Sequence, residues 1–155
     1  MQAIAVPTVV EDRQAFAQDA QRFLQFSPRR LPSRFLYDAL GSALFDAICH
    51  LPWYRVTRAE LRLLRRHANT IGQLLHAGGR VVELGCGNGE KLATLLTQAN
   101  ARGVHAHLID LSEAALAQSV QTLATVAGSA IRVTTDLATY EDGLLALPRE
   151  SFAQG

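Results

Sequence analysis

Apolar and polar positions along this chain change period twice. In "EDRQAFAQDAQRFLQF", Phe16, Ala20, Phe23 and Leu24 recur at i, i+4, i+7 and i+8, the spacing of one helix face. The two prolines of "SPRRLPSR" break that pattern. "RFLYDALGSALFDAICHLP" resumes it, with Leu40, Leu44 and Ile48 at helical spacing, and stops at Pro52. After the loop "WYRV", Thr57 and Glu60 have the spacing of a capping box and predict the start of a third helix. In that helix Leu61, Leu64, Ile71 and Leu75 point one way, while Arg62, Arg65 and Arg66 form a solvated face.

Beyond "HAGG" the pattern becomes that of short buried strands alternating with amphipathic helices. "RVVEL", "VHAHLID" and "AIRVTTD" read as strands. Between them, "NGEKLATLLTQA" reads as a helix with Leu92, Leu95 and Leu96 inward. "EAALAQSVQTLATV" reads as a helix capped by Ser112, with Leu116, Val120 and Leu123 as its stripe. The order β-α-β-α-β calls for a parallel sheet with right-handed crossovers. It corresponds to one half of a doubly wound sheet, spatial order 3-2-1, with ligands beyond the carboxyl ends of the strands near the first. The fold class expected is therefore α/β, an incomplete Rossmann-like sheet preceded by helices. Residues 1–78 form the helical region and 79–155 the first half of the ligand-binding domain. The residues after Asp136 suffice for a turn of helix and a tail but not for further strands. "VVEL" is apolar enough to belong in the middle of a sheet, so the chain reads as the N-terminal portion of a larger protein.

Composition narrows the function. The chain has 155 residues, 48% hydrophobic and 19% charged, which suits a globular domain. A net charge of +1 gives no bulk attraction to nucleic acid or an anionic membrane. There is no apolar run of transmembrane length and no basic leader, so a cytoplasmic protein is expected. Cys49 and Cys86 are too few for a disulfide framework, and no metal-ligand spacing appears. His105 and His107 share a strand face without a third ligand. Lys91 is the sole lysine among 15 basic residues, and it lies in the stretch of most chemical interest.

That stretch is "RVVELGCGNGEK", a strand running into glycine-rich backbone and then a helix. Gly85, Gly87 and Gly89 give G-x-G-x-G, and Glu90 stands where a dinucleotide fingerprint has its last glycine. An acid at that helix mouth opposes a pyrophosphate. A P-loop would need G-x-x-x-x-G-K-[ST], which is not present. An acidic strand end, Glu83, followed by G-x-G-x-G resembles motif I of class I S-adenosylmethionine-dependent methyltransferases. That cofactor carries no phosphate but has a ribose diol, an adenine, a zwitterionic amino-acid end and a sulfonium. Asp110 and Asp136, at the next two strand ends, suit the ribose hydroxyls and the adenine amino group. Lys91 suits the cofactor carboxylate. The bland readings are turn-forming glycines, an Asp110 that only precedes the Ser112 cap, an Asp136 that only starts a turn, and a Cys86 that fills space.

The helical leader sharpens the resemblance. "FLYDALGSALFD" and "LPWYRVTRAE", joined to "VVELGCGNGEK", resemble the histidine-specific methyltransferase family over about residues 27–145. Members of that family transfer methyl groups from S-adenosylmethionine, including to the α-amino group of histidine in ergothioneine biosynthesis. By this resemblance Tyr37, Gly85, Lys91, Asp110 and Asp136 are cofactor contacts, joined by Glu83, Gly87 and Leu137 of the same motifs, and Tyr54 contacts the amino-acid substrate. Leu137 stands where the family commonly has an aromatic against the adenine. Asn88 and Gly89 replace small hydroxylated residues. Trp53 and Arg55 differ from the usual neighbours of Tyr54. The resemblance implies N-methylation of histidine or a related small amino acid, with no nucleophilic residue and no metal. The alternatives are a methyltransferase for another small-molecule amine, or a non-catalytic module that binds cofactor or self-associates through an exposed strand edge.

Overall fold

A computed structural model describes residues 9–127 and 130–147 of the chain. The start of the N-terminal segment read against a leader, and the last residues of the C-terminal tail, lie outside them. The chain divides into two compact units, Met1–Tyr37 and Asp38–Gly155.

In the first unit, helix α1 (Val9–Phe23) is followed by a turn and a short 3-10 helix, Ser33–Leu36. Phe16 meets Phe35 edge-on at 5.0 Å between ring centroids. Arg34 pairs with Asp19 and stacks over the Phe35 ring. Tyr37 closes this unit, half-exposed, with its backbone N–H donating to the Arg34 carbonyl.

The second unit holds α2 (Ala39–Cys49), α3 (Val56–Gly72), β1 (Arg80–Leu84), α4 (Glu90–Gln98), β2 (Val104–Asp110), α5 (Glu113–Ala127), β3 (Ile131–Leu137) and α6 (Tyr140–Ala146). The three strands form one parallel sheet in the order β1-β2-β3, as the sequence pattern predicts. Val81 pairs with Ala106, and Ala106 with Val133. Because side chains alternate faces, this register puts Val81, Val104, Ala106, Leu108, Ile131 and Val133 on one side. Leu92 and Leu96 of α4 and Leu116 and Leu123 of α5 close over that side and form the core. The opposite face carries Val82, His105, His107, Ile109, Thr134 and Asp136, and Gly143 of α6 packs on Ile109.

Two local expectations are corrected. Thr57 does not cap α3: the helix starts at Val56 with Arg55 at the cap position and no side-chain cap bond. Thr57 already has helical backbone there, and Glu60 instead meets Lys91 at 2.7 Å. In α5, Val120 is exposed and Ser119 is fully buried. The inward face runs Ser112, Leu116, Ser119 and Leu123, which keeps helical spacing but includes two hydroxyls. In α2, Leu40, Leu44 and Ile48 are exposed, and polar side chains of that helix engage the rest of the unit. Ser112 caps α5 as expected, accepting from the Ala115 N–H at 3.2 Å. No described helix is long and apolar enough to cross a membrane.

Candidate cofactor site

The glycine loop leaves β1 and is gripped from three elements. Gly85 donates its N–H to the Ile109 carbonyl of β2 at 2.8 Å, which fixes the loop's start. From α5, Ser119 donates to the Gly87 carbonyl at 3.0 Å and Thr122 to the Asn88 carbonyl at 2.8 Å. From α2, Asp46 accepts from the Asn88 side-chain amide at 3.1 Å, and Ser42 meets Ser112 at 2.8 Å. The Asn88 side chain also accepts from the Glu90 N–H at 3.0 Å and so serves the first turn of α4.

The glycines have separate reasons. All three have positive φ. A Cβ on Gly89 would lie 2.9 Å from the Ser119 Cα, so close packing of α5 forbids one. A Cβ on Gly85 would strike the hydroxyl of Tyr140, a residue that sequence reasoning missed because it belongs to α6. At Gly87 a Cβ would meet nothing within 4 Å. This is the point of the loop where bare backbone faces open space, as close approach by a ligand requires.

Asp110 is buried behind the loop. Its Oδ1 accepts from the Ser112 N–H at 2.9 Å, and its Oδ2 from the Gly87 N–H at 3.3 Å and the Cys86 thiol at 3.7 Å. The two long bonds on Oδ2 are those that a ligand hydroxyl can displace. Glu83 lies on the same sheet face, and its Oε2 is buried without a hydrogen-bond partner among the described residues. Burial, opposed by Lys91 and reinforced by Asp110, raises its carboxyl from 4.5 to about 7. A buried carboxylate oxygen in this state invites a cationic donor. Burial also pushes the Cys86 thiol up to about 12, with the Ser119 hydrogen bond opposing and Asp110 adding to it. It is therefore a buried filler and not a nucleophile.

The remaining predicted residues are distributed around this centre. Lys91 is half-exposed and pairs with Glu60. Leu137 is in register with Asp110. Asp136 lies on the opposite sheet face and accepts from His107 at 3.0 Å. Tyr54 lies in the α2–α3 loop, edge-on to Phe45 at 6.3 Å, and Tyr37 belongs to the first unit. A recess lies elsewhere, among Leu96, Asn100, Arg102, Leu123 and Ile131, at the amino ends of the strands and without a carboxylate. The donor and acceptor chemistry, and not concavity, makes the carboxyl ends the candidate site.

A parallel sheet with a glycine-rich loop after β1 and acids at three successive strand ends has the architecture of a Rossmann-like domain of the methyltransferase kind. Comparison with known proteins narrows the class: residues 16–154 match the histidine-specific, S-adenosylmethionine-dependent methyltransferases, and the chain belongs to that family. It is 32% identical over 136 residues to histidine N-alpha-methyltransferase of Mycobacterium tuberculosis, covering 87% of this chain and 42% of that protein. It is 34% identical over 124 residues to N-methyltransferase fsqC of Aspergillus fumigatus, covering 77% and 34%. It is 40% identical over 99 residues to ergothioneine biosynthesis protein 1 of Schizosaccharomyces pombe, covering 61% and 13%. The chain thus spans less than half the length of these relatives.

Proposed function

We propose that this protein takes part in S-adenosylmethionine-dependent N-methylation of the α-amino group of histidine or a related amino acid, in the cytoplasm, with these residues building the nucleoside side of the cofactor site. The observation that carries the reading is the buried, unpartnered Glu83 oxygen beside Asp110 and the open Gly87 backbone, in a chain of this family. These residues fit the cofactor. Glu83 takes its ammonium, Asp110 its ribose hydroxyls, Asp136 with Leu137 its adenine, and Lys91 its carboxylate after leaving Glu60. Gly85 and Gly87 give backbone access.

Bound S-adenosylmethionine supplies an electrophilic methyl group on a sulfonium. This chain's residues fix the nucleoside in place, exclude water from behind the loop through α5 and α2, and leave the acceptor amine to be held by Tyr54 and by residues of a longer protein. The amine must be neutral to attack, so catalysis is positioning plus selection of the unprotonated form. Residues 1–155 alone are expected to bind cofactor with little or no turnover, and to self-associate through the β1 edge.

Calorimetric titration with S-adenosylhomocysteine tests the reading. Binding supports it, and no heat at high micromolar ligand sinks it. Mass spectrometry of histidine incubated with the cofactor and a full-length form tests the substrate. The similarity to the fungal N-methyltransferase favours a second reading, methylation of another small-molecule amine. Activity on such an amine with none on histidine selects it.

A further inference from the structure

On the face of the sheet opposite the α4–α5 core, four side chains from two strands form a continuous hydrogen-bonded chain. His105 Nε2 lies 2.7 Å from Thr134 Oγ1, which lies 2.7 Å from His107 Nδ1. His107 Nε2 in turn lies 3.0 Å from Asp136 Oδ2. The β2–β3 register produces this arrangement, since it sets His107 beside Thr134 and places Asp136 one alternation further along the same face. His107 is buried, with its side chain 11% exposed, whereas the Asp136 side chain is 40% exposed.

The polarity of the chain follows from the acceptor end. An ionised carboxylate only accepts, so His107 Nε2 carries the proton. Its Nδ1 then accepts from the Thr134 hydroxyl, whose oxygen accepts from His105 Nε2–H. Every link has one donor and one acceptor, so His107 is held in one tautomer and ring orientation. Asp136 Oδ2 is thereby committed to protein.

We infer that His107 is a positioning residue for the Asp136 carboxylate, and through it sets the preference of the site for a nucleobase bearing an exocyclic amine. The inference rests on the cofactor reading above. The neighbour in sequence, Leu137, offers apolar contact but no aromatic face. Discrimination between an amino and an oxo base therefore falls on a carboxylate oxygen aimed as an acceptor: it bonds an N–H and repels a carbonyl. A carboxylate free to rotate loses that aim, because it can turn aside from the wrong base as easily as toward the right one.

The test compares S-adenosylhomocysteine with S-inosylhomocysteine, in which the exocyclic amine is replaced by an oxo group, by calorimetry. Wild-type protein should prefer the adenine ligand by about tenfold or more. His107→Phe should cut that preference severalfold, chiefly by weakening the adenine ligand, and His107→Gln, whose amide can still donate, should restore most of it. Equal weakening of both ligands in His107→Phe, or an unchanged ratio, overturns the inference and leaves the cofactor reading standing. A wild-type protein silent toward both ligands sinks the two together. Long-range 1H–15N NMR of the wild-type histidines gives a readout that needs no variant. The Nε2–H tautomer of His107 supports the inference, and the Nδ1–H tautomer overturns it.

Discussion

Glu83 gathers the competing forces of the site into one side chain. Its carboxyl has an ordinary value of 4.5 and is raised to about 7 in the fold, chiefly by burial. The folded state therefore binds an extra proton between those values. That contribution to stability is complete below about 4.5, declines as pH rises, and is gone above about 7. Glu83→Gln should therefore stabilise the ligand-free protein at pH 8 by about 2 kcal/mol, read by urea unfolding, with little effect at pH 4.5. Binding of a ligand ammonium needs the ionised form. Titration with S-adenosylhomocysteine at pH 6 should then release close to one proton, measured as a dependence of the binding heat on the ionisation enthalpy of the buffer. Lys91→Ala and Asp110→Ala should each weaken the same ligand, Asp110→Ala more, because its carboxylate also holds Gly87 and Ser112. Unchanged affinity in both would refute their assignment. Lys91 exchanges only a half-exposed pair with Glu60, of the order of 0.2–1 kcal/mol, for a ligand carboxylate.

At the scale of elements, the loop between β1 and α4 is an object built by its neighbours. Two of its glycines separate stability from binding. Gly89→Ala places a Cβ against the Ser119 backbone at positive φ and should cost about 2 kcal/mol in unfolding free energy. Gly87→Ala carries the backbone strain without the clash. It should lose less stability but more affinity for S-adenosylhomocysteine, since its methyl projects where the ligand approaches. Unfolding curves and calorimetry on the same pair of variants check the contrast, and equal losses on both axes would refute it. α2 contributes through its polar side chains. Asp46→Ala removes the bond to Asn88 and should loosen the loop, lowering affinity severalfold for a stability change near 1 kcal/mol.

Over the whole molecule, the sheet ends on each flank in a strand that has a single neighbour among the described residues. β2 lies between two neighbours, whereas β1 pairs on one side only among the described residues. Its residues Val82 and the exposed Leu84 present apolar side chains at that flank. Light scattering should show self-association that grows with protein concentration and falls in Leu84→Lys. A longer form carrying the sequence beyond residue 155 should stay monomeric in the same range if further strands cover this edge.

The sequence by itself determined the strands and most of the helices, and singled out the glycine loop, because each depends on signals within a few residues. Apolar runs place "RVVEL", "VHAHLID" and the third strand nearly to the residue, helical spacing places α4 and α5, and alternating glycines after an acid mark the turn from β1 into α4. It misjudged the start of α3, since Thr57 and Glu60 have capping spacing but the helix begins two residues too early for them to use it. It also assigned Val120 inward, because hydropathy does not anticipate a serine buried to hold a backbone carbonyl. Tertiary structure decided what those side chains meet. Strand register joined His107 to Asp136, docking of α6 set Tyr140 against Gly85, and burial raised Glu83 toward neutrality. Hydrogen-bond partners distant in sequence, and the desolvation of a charge, come into being only when the chain folds.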